Sequence, residues 1–296
     1  MKKQVIFKGV ATALITPFHL GKIDFDSLAH IVENQISNGT DALVIGGTTA
    51  EAATLSDTER YELFAFVKER VGTRVKLIFG TGTNDTAAVI RHTKKAESIG
   101  CDGVLIVTPY YNKGTEDGVV NHYLSVAEQT SLPIILYNVP SRTGVELNFN
   151  QLDRLAERSN IVAIKEAGDS ADRLCRLASY GEDLRLYAGN DSQIYTTLAL
   201  GGFGVISVLS NIAPCLCRDI CKNYFSKKTE ISLTAQLKAL PLIRALFKET
   251  NPAPVKYAMS KLGFCSNELR LPLMRVNEKT AKEIDTAMDQ LNFEMN

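Results

Sequence analysis

A short apolar segment followed by a helical stretch recurs along this chain about every 30 residues, the length of one strand–helix–strand unit. The stretch from Val120 to Ala127 shows the helical part well, because its apolar residues recur at i, i+3, i+4 and i+7. Eight apolar segments are typical of strands: Val10–Ile15, Ala42–Ile45, Lys76–Phe79, Gly103–Val107, Ile134–Tyr137, Ile161–Ile164, Arg185–Ala188 and Val205–Val208. Eight alternating units predict an α/β fold, a (β/α)8 TIM barrel closed so that no strand edge is exposed.

The pattern changes near Lys228, after which only helical periodicity continues. Three further helices are predicted, at Leu233–Phe247, Val255–Leu262 and Lys279–Leu291. We therefore expect a catalytic barrel in residues 1–227 and a C-terminal helical domain, packed on the barrel as an appendix, in residues 228–296.

Composition narrows the classes of partner. Of the 296 residues, 45% are hydrophobic, and no apolar run approaches the roughly 18 residues that cross a bilayer. The first residues show no signal peptide, so we expect a cytoplasmic protein without a membrane partner. Lys and Arg together number 33, as do Asp and Glu, and this balance predicts no nucleic-acid partner. The expected partner is a small molecule.

The cysteines and histidines do not indicate a metal site. The six cysteines are scattered, and Cys215, Cys217 and Cys221 lack both a Cys-x-x-Cys pair and a nearby histidine. The four histidines lie in unrelated segments. We expect reduced thiols and a mechanism without a metal.

Barrel enzymes place their chemistry where the strands end and the following loops begin. The distinctive residues of this sequence gather at those positions. They are Thr48, Thr49, Tyr110, Tyr111, Tyr137, Arg142, Lys165 and Gly189. A single loop tyrosine or arginine is usually a packing or solvated group, but this convergence on one barrel mouth indicates an active site.

Lys165 is the unusual member, because it follows the buried run Ile161–Ile164. A lysine there could extend its ammonium group to water. Alternatively, it is a desolvated and partly neutral amine that adds to the ketone of a 2-oxo acid and forms an imine. The neighbouring residues favour the second interpretation.

The other residues fit the chemistry of such an imine. Tyr137, one strand away, is the natural proton shuttle, with Thr48 and Tyr111 as possible relays. The Gly-Gly-Thr-Thr turn can direct backbone N–H groups at a carboxylate, and Arg142 offers a planar fork to a second one. The set predicts a carbon–carbon bond-forming enzyme.

The sequence resembles the dihydrodipicolinate synthase family of the pyruvate-dependent class I aldolase superfamily, from Gly9 to Leu273. The resemblance is carried by Gly47-Thr48-Thr49-x-Glu51, Thr108-Pro109-Tyr110-Tyr111-Asn112, Tyr137-Asn138-Val139-Pro140-Ser141-Arg142-Thr143-Gly144, Lys165-Glu166-Ala167, Gly204-Val205-Ile206-Ser207-Val208 and Asn251-Pro252-x-Pro254-Val255-Lys256. It implies a lyase of lysine biosynthesis through diaminopimelate. The reaction would join pyruvate to L-aspartate 4-semialdehyde and give 4-hydroxy-tetrahydrodipicolinate.

The resemblance also implies a role for each site residue. Lys165 would form the imine, so that no separate cofactor is needed, and Tyr137, Thr48 and Tyr111 would relay protons. The substrate contacts would come from Thr48 and Thr49 on the pyruvate carboxylate, Arg142 on the semialdehyde carboxylate, and the backbones of Gly189 and Ile206. Tyr111 would reach in from a neighbouring subunit, which implies a homo-oligomer, usually a homotetramer built from tight dimers and in some members a dimer.

Two departures from the family pattern bear on activity and regulation. Ala50 replaces the second glycine of the usual Gly-Thr-Thr-Gly-Glu turn, which would be strained at positive φ and silent otherwise. At the effector site of lysine-inhibited members, Asn84 and Tyr110 keep the pattern. Asp57, Arg60 and Ala88 stand where those members have histidine, histidine and glutamate, so we expect little or no inhibition by lysine.

Two other functions remain open from the sequence. A sibling aldolase for N-acetylneuraminate or a 2-oxo-3-deoxy sugar acid would use the same imine, although Arg142 suits a short carboxylated aldehyde better than a polyol. A barrel that has lost catalysis and only binds is the other alternative, since fold alone does not establish function.

Overall fold

Eight parallel strands close into one barrel in the computed structural model, which describes residues 3–291. The chain order is also the order around the barrel, and the first barrel strand pairs with both the second and the last. The barrel strands are β1 (Gly9–Ala13), β4 (Ala42–Ile45), β5 (Lys76–Gly80), β6 (Gly103–Val107), β7 (Ile134–Asn138), β8 (Ile161–Glu166), β9 (Arg185–Ala188) and β10 (Gly204–Ser207). The predicted (β/α)8 barrel is confirmed. A short antiparallel ribbon that the sequence pattern did not indicate, β2 (Phe18–His19) with β3 (Lys22–Ile23), follows β1.

Helices alternate with the strands and then continue alone at the C-terminal end. They are α1 (Phe25–Ser37), α2 (Asp57–Val71), α3 (Thr86–Ile99), α4 (Glu116–Ala127), α5 (Pro140–Thr143), α6 (Phe149–Ala156), α7 (Ala171–Ala178), α8 (Ile194–Ala199), α9 (Pro214–Phe225), α10 (Thr229–Leu246), α11 (Ala253–Lys261) and α12 (Glu278–Gln290). Single 3-10 turns lie at Thr48–Ala50, Ala52–Thr54, Asp191–Gln193 and Leu209–Asn211. The three expected C-terminal helices are α10, α11 and α12.

The first and last barrel strands end earlier than the sequence pattern predicted. β1 ends at Ala13 because the amide of Ile15 donates to the side chain of Asn211 (3.3 Å) and not to a neighbouring strand. β10 ends at Ser207 because the amide of Val208 donates to the carboxylate of Asp191 (3.1 Å). In both places a side chain from a 3-10 turn accepts the amide that a neighbouring strand would otherwise bind, so the apolar pattern alone could not locate the end.

β8, in contrast, is longer than predicted and includes the two charged residues that follow its apolar run. Lys165 is paired with Tyr137 on β7, and Glu166 with Asn138. Alternation along a strand then points these two side chains to opposite faces, Lys165 into the barrel and Glu166 towards the helices. This alternation separates the roles of the two charges.

The C-terminal helices share an apolar core with the barrel. Leu242 and Leu246 on α10 and Val255 on α11 belong to the same buried cluster as the helices around the barrel. The expected boundary at residue 227 lies in the turn between α9 and α10. No helix of residues 3–291 combines the length and apolar character needed to cross a membrane.

Candidate active site

A cavity of about 650 Å³ opens at the carboxyl end of the barrel strands. Six of the residues that the sequence assigned to the site line it: Thr48, Thr49, Tyr137, Arg142, Lys165 and Gly189. Part of its remaining wall comes from the segment between α10 and α11, from Phe247 to Asn251. The barrel mouth and the C-terminal helices therefore form one site together.

Lys165 lies at the inner end of this cavity and does not extend to water. Its residue is only 5% exposed, and its Nζ atom is 4.2 Å from the centroid of the Tyr137 ring. The strand pairing between β7 and β8 fixes the two residues side by side. The amine is thus held beside an aromatic ring in a mostly buried position, where a small ketone can reach it through the cavity.

Glu166, the next residue, is engaged in a separate network on the outer face of β8. Its carboxylate accepts hydrogen bonds from Asn138 Nδ2 (2.9 and 3.0 Å) and from the amide of Gly168 (2.7 Å), and Arg173 Nε lies 2.9 Å away. Buried charges are tolerated when they are paired and hydrogen-bonded in this way. Glu166 therefore holds the end of β8 against α7.

The turn after β4 carries its alanine without strain. Ala50 is buried inside the 3-10 turn and its φ lies outside the left-handed region, while the following residue, Glu51, adopts φ 57°. The carbonyl of Ala50 accepts a hydrogen bond from Thr16 Oγ1 (2.8 Å). The replacement of the family's glycine is consequently compatible with the observed backbone.

Glu51 anchors the same turn to the C-terminal helices. Its Oε1 lies 2.5 Å from Lys256 Nζ on α11, and its Oε2 accepts from the amide of Arg270 (3.0 Å). Burial lowers the pKa of Lys256, and the nearby Glu51 carboxylate opposes that shift. Removing either partner would leave an uncompensated buried charge.

Asn251 joins two residues that the sequence had assigned to different substrates. Its Nδ2 donates to Thr49 Oγ1 (3.0 Å), and its backbone carbonyl accepts from Arg142 Nη2 (3.0 Å). Asn251 has no role predicted from the sequence, although it begins one of the segments that carry the family resemblance. The presence of Asn251 in that segment was the signal from which a role in the site could have been predicted.

Gly189 and Ile206 differ in their relation to the cavity. Gly189 lines the cavity, and a Cβ atom at this position would lie only 2.6 Å from the carbonyl oxygen of Glu166. Ile206 is not among the residues that line this cavity, and its side chain packs inside the barrel with Ala11 and Tyr187; the expected contact of its backbone with substrate stays a prediction. Asp191, two residues after Gly189, is also buried. Burial raises the pKa of its carboxyl group, which accepts hydrogen bonds from the amides of Val208 and Leu209.

Tyr111 is separated from the other expected catalytic residues. Its side chain is 88% exposed and its φ is 69°, and it does not line the cavity that holds Lys165. One chain alone therefore does not bring Tyr111 to the amine. Its expected role in the site of a neighbouring subunit stays a prediction.

A smaller cavity of about 330 Å³ shares Thr48, Tyr137 and Arg142 with the first and extends to Tyr110. Asn84, the other expected effector residue, does not line either of the two cavities, and its carbonyl accepts from Asn112 Nδ2 (3.0 Å). Arg60 is buried and donates to the backbone carbonyls of Gly80 (3.2 Å) and Ala52 (2.9 Å). The charge of the Arg60 guanidinium group interacts with Tyr110, one of the two residues expected at the effector site.

Within residues 3–291, histidine, cysteine and carboxylate side chains form no group of three or more that could hold a metal ion. The expectation of a mechanism without a metal stays a prediction.

Nearly the whole chain is similar to one family of known proteins, which confirms the resemblance found in the sequence. A model described as the dihydrodipicolinate synthetase family matches residues 6–291. The 4-hydroxy-tetrahydrodipicolinate synthase 1 of Clostridium acetobutylicum is 46% identical over 282 residues, 95% of this chain and 96% of that protein.

Two crystal structures are also similar to this chain. Dihydrodipicolinate synthase from Thermotoga maritima gives a TM-score of 0.94 at 42% identity, covering 97% of this chain and 99% of that one. The chloride-inhibited synthase from Acinetobacter baumannii, complexed with pyruvate, gives a TM-score of 0.95 at 37% identity. This match covers 97% of this chain and 100% of that one. The chain therefore belongs to the dihydrodipicolinate synthetase family.

Proposed function

We propose that this protein condenses pyruvate with L-aspartate 4-semialdehyde to give 4-hydroxy-tetrahydrodipicolinate, through a covalent imine on Lys165 and without another cofactor. The observation that carries the proposal is the buried Lys165 amine, 4.2 Å from the Tyr137 ring, in a cavity that also contains Thr48, Thr49 and Arg142. The family assignment and the relatives named as synthases support the same reaction.

The first half of the reaction would use the inner part of the cavity. The amine of Lys165 adds to the ketone carbon of pyruvate, and loss of water leaves a protonated imine. This imine withdraws electrons from the adjacent methyl group, which then loses a proton and becomes a carbon nucleophile. Tyr137 is placed to carry these protons, and the turn at Thr48 and Thr49 is placed to hold the pyruvate carboxylate.

The second half would use the outer part. The carbon nucleophile attacks the aldehyde carbon of the semialdehyde, whose carboxylate we assign to the guanidinium group of Arg142. The amino group of the semialdehyde then attacks the imine carbon, closes the ring and releases Lys165. One water is lost overall, so the atoms of the two substrates equal those of the product and water.

The exposed Tyr111 supports a multi-subunit enzyme. Tyr111 is 88% exposed in one chain. As a proton relay, it therefore serves the Lys165 amine of a neighbouring chain. We propose tight dimers that exchange this residue, assembled into a homotetramer. The product would enter the cytoplasmic route to diaminopimelate and lysine.

A coupled assay tests the assignment of substrates. Purified protein is given pyruvate with L-aspartate 4-semialdehyde, and in parallel reactions is offered N-acetylneuraminate and 2-oxo-3-deoxy sugar acids. We expect turnover with the semialdehyde to exceed cleavage of any sugar acid by about 10³-fold or more, because a guanidinium group matched to a short carboxylated aldehyde does not suit a polyol. Faster cleavage of a sugar acid would assign the chain to a sibling aldolase.

A further inference from the structure

We propose that Asn251 is a positioning residue that turns the Thr49 hydroxyl into a hydrogen-bond donor for the carboxylate of pyruvate. This inference rests on the proposed function and extends the site to the C-terminal segment, beyond the barrel loops. It concerns how the first substrate is held.

The geometry places Asn251 behind Thr49. The residue is 5% exposed, and its Nδ2 lies 3.0 Å from Thr49 Oγ1. Its backbone is held at the same time, since its carbonyl accepts from Arg142 Nη2 (3.0 Å) and the next residue precedes helix α11. The backbone of Asn251 is therefore held in place, and its side-chain amide directs Nδ2 towards Thr49 while Oδ1 is buried without a hydrogen-bond partner among the described residues.

The chemistry of a hydroxyl group determines what this contact does. A threonine hydroxyl has one hydrogen to donate and two lone pairs that accept. The amide of Asn251 occupies one lone pair, and among the residues that the structure describes the hydroxyl hydrogen has no acceptor. Thr49 lines the cavity beside Lys165, so this hydrogen is available to an anion bound there.

An aspartate at position 251 would reverse this arrangement. Its carboxylate has no hydrogen to donate, so the Thr49 hydroxyl would turn its own hydrogen towards residue 251 and present lone pairs to the substrate carboxylate. A hydrogen bond to a charged group would be lost, and a loss of this kind weakens binding by roughly tenfold to a hundredfold. The Asn251→Asp change also adds a negative charge, and this second effect has to be separated from the first.

A double-mutant cycle with Thr49→Val separates the two effects. Pyruvate affinity is measured from borohydride trapping with pyruvate alone, which does not depend on the second substrate, and KM and kcat are measured in the coupled assay. The variants are N251D, N251L, T49V and the two pairs N251D/T49V and N251L/T49V. N251L removes the donor without adding a charge. Asn277→Asp is the matched control, because Asn277 caps α12 through its Oδ1, an atom that aspartate keeps.

We expect N251D to raise the KM for pyruvate by about tenfold or more and N251L to raise it by less, because leucine leaves the hydrogen of the Thr49 hydroxyl free to donate. In both variants kcat at saturating pyruvate should change by less than about threefold. In the T49V background the same changes should add less than about twofold, because the hydroxyl that they act on is already absent. N277D should match the wild type.

Equal effects of N251D with and without the Thr49 hydroxyl would mean that residue 251 acts by charge or packing, and would overturn the inference. Unchanged pyruvate affinity in N251D would overturn it as well. Neither result would contradict the proposed function. That function would be contradicted if the wild-type protein formed no imine with pyruvate.

Discussion

Lys165 and Tyr137 are paired residues on the adjacent parallel strands β8 and β7, and the lysine Nζ lies 4.2 Å from the tyrosine ring centroid. Paired residues on neighbouring parallel strands point to the same face of the sheet. Backbone hydrogen bonds of the barrel therefore set the distance between the proposed nucleophile and the proposed proton shuttle. Little reorganisation is needed when the substrate enters, which is the condition for efficient covalent catalysis.

Arg142→Ala is expected to slow condensation with the second substrate far more than it slows imine formation with the first. A lost charge-assisted carboxylate contact should lower kcat/KM for the semialdehyde by about tenfold to a hundredfold. Imine formation with pyruvate should change by less than about threefold. Single-turnover trapping and the coupled assay measure the two steps separately. Lys248→Ala is the control, because Lys248 also lines the cavity wall but already pairs with Glu283 (3.0 Å). Equal losses in both steps would count against the role of Arg142.

Mixing two inactive variants tests whether Tyr111 serves a neighbouring subunit. Tyr111→Phe keeps the lysine but lacks the relay, and Lys165→Ala keeps the relay but lacks the lysine. In a mixed dimer, the lysine of the first chain would meet the tyrosine of the second and restore one complete site. We expect activity to appear after the two proteins are unfolded and refolded together, and not after separate refolding. No recovery on co-refolding would place Tyr111 in its own chain's site.

We expect lysine at millimolar concentration to inhibit weakly or not at all. Ala88 cannot supply the carboxylate that a bound ammonium requires, a contact worth about 1.5 to 3 kcal/mol. Arg60 is buried and hydrogen-bonded to two backbone carbonyls, so its positive charge is fixed in place, and this charge interacts with Tyr110 of the expected effector site. A titration of lysine against the initial rate at fixed pyruvate measures the effect. Clear sub-millimolar inhibition would show that other residues form an effector site.

The ion pair between Glu59 and Arg270 should make stability fall in acid. Arg270 donates to both carboxylate oxygens of Glu59 and lowers the pKa of that carboxyl to about 2. The folded pKa lies below the ordinary value of 4.5, so the stabilisation is complete above about pH 4.5 and is lost as pH falls towards 2.

Glu59→Gln tests this linkage. At pH 7 we expect the free energy of unfolding to fall by about 1 kcal/mol, near the upper end for a partly exposed pair. The difference from the wild type should shrink between about pH 4.5 and pH 2, as denaturant titrations would show. Glu62→Gln on the same helix α2 is the control, because Glu62 is exposed. A difference that stays constant with pH would assign the effect to packing.

Much of the fold and most of the site followed from the sequence for a physical reason. Strands buried on both faces leave continuous apolar runs, and closing eight of them brings every strand end to one mouth. Lys165, Tyr137 and Arg142 could therefore be placed together from their positions after strands. The ends of β1 and β10 could not, because they depend on the side chain of Asn211, 196 positions from Ile15, and on that of Asp191, 17 positions from Val208.

The residues that the sequence missed lie where the barrel pattern gives no information. Asn251 is 202 positions from Thr49 in the chain, and only the packing of the C-terminal helices on the barrel brings the two together. The buried pair of Glu51 and Lys256 arises in the same way. Ala50 was ambiguous for another reason, since its φ depends on the turn that the chain forms around Glu51.

Borohydride trapping with pyruvate tests the central claim most directly. The protein is incubated with pyruvate, reduced with borohydride and digested, and the modified peptide is identified by mass spectrometry, with a sample reduced without pyruvate as the control. We predict loss of activity and one adduct, on Lys165, because only an imine is fixed by the reduction. An adduct on Lys256, the other buried lysine close to the Thr48–Ala50 turn, or no adduct at all, would contradict the account.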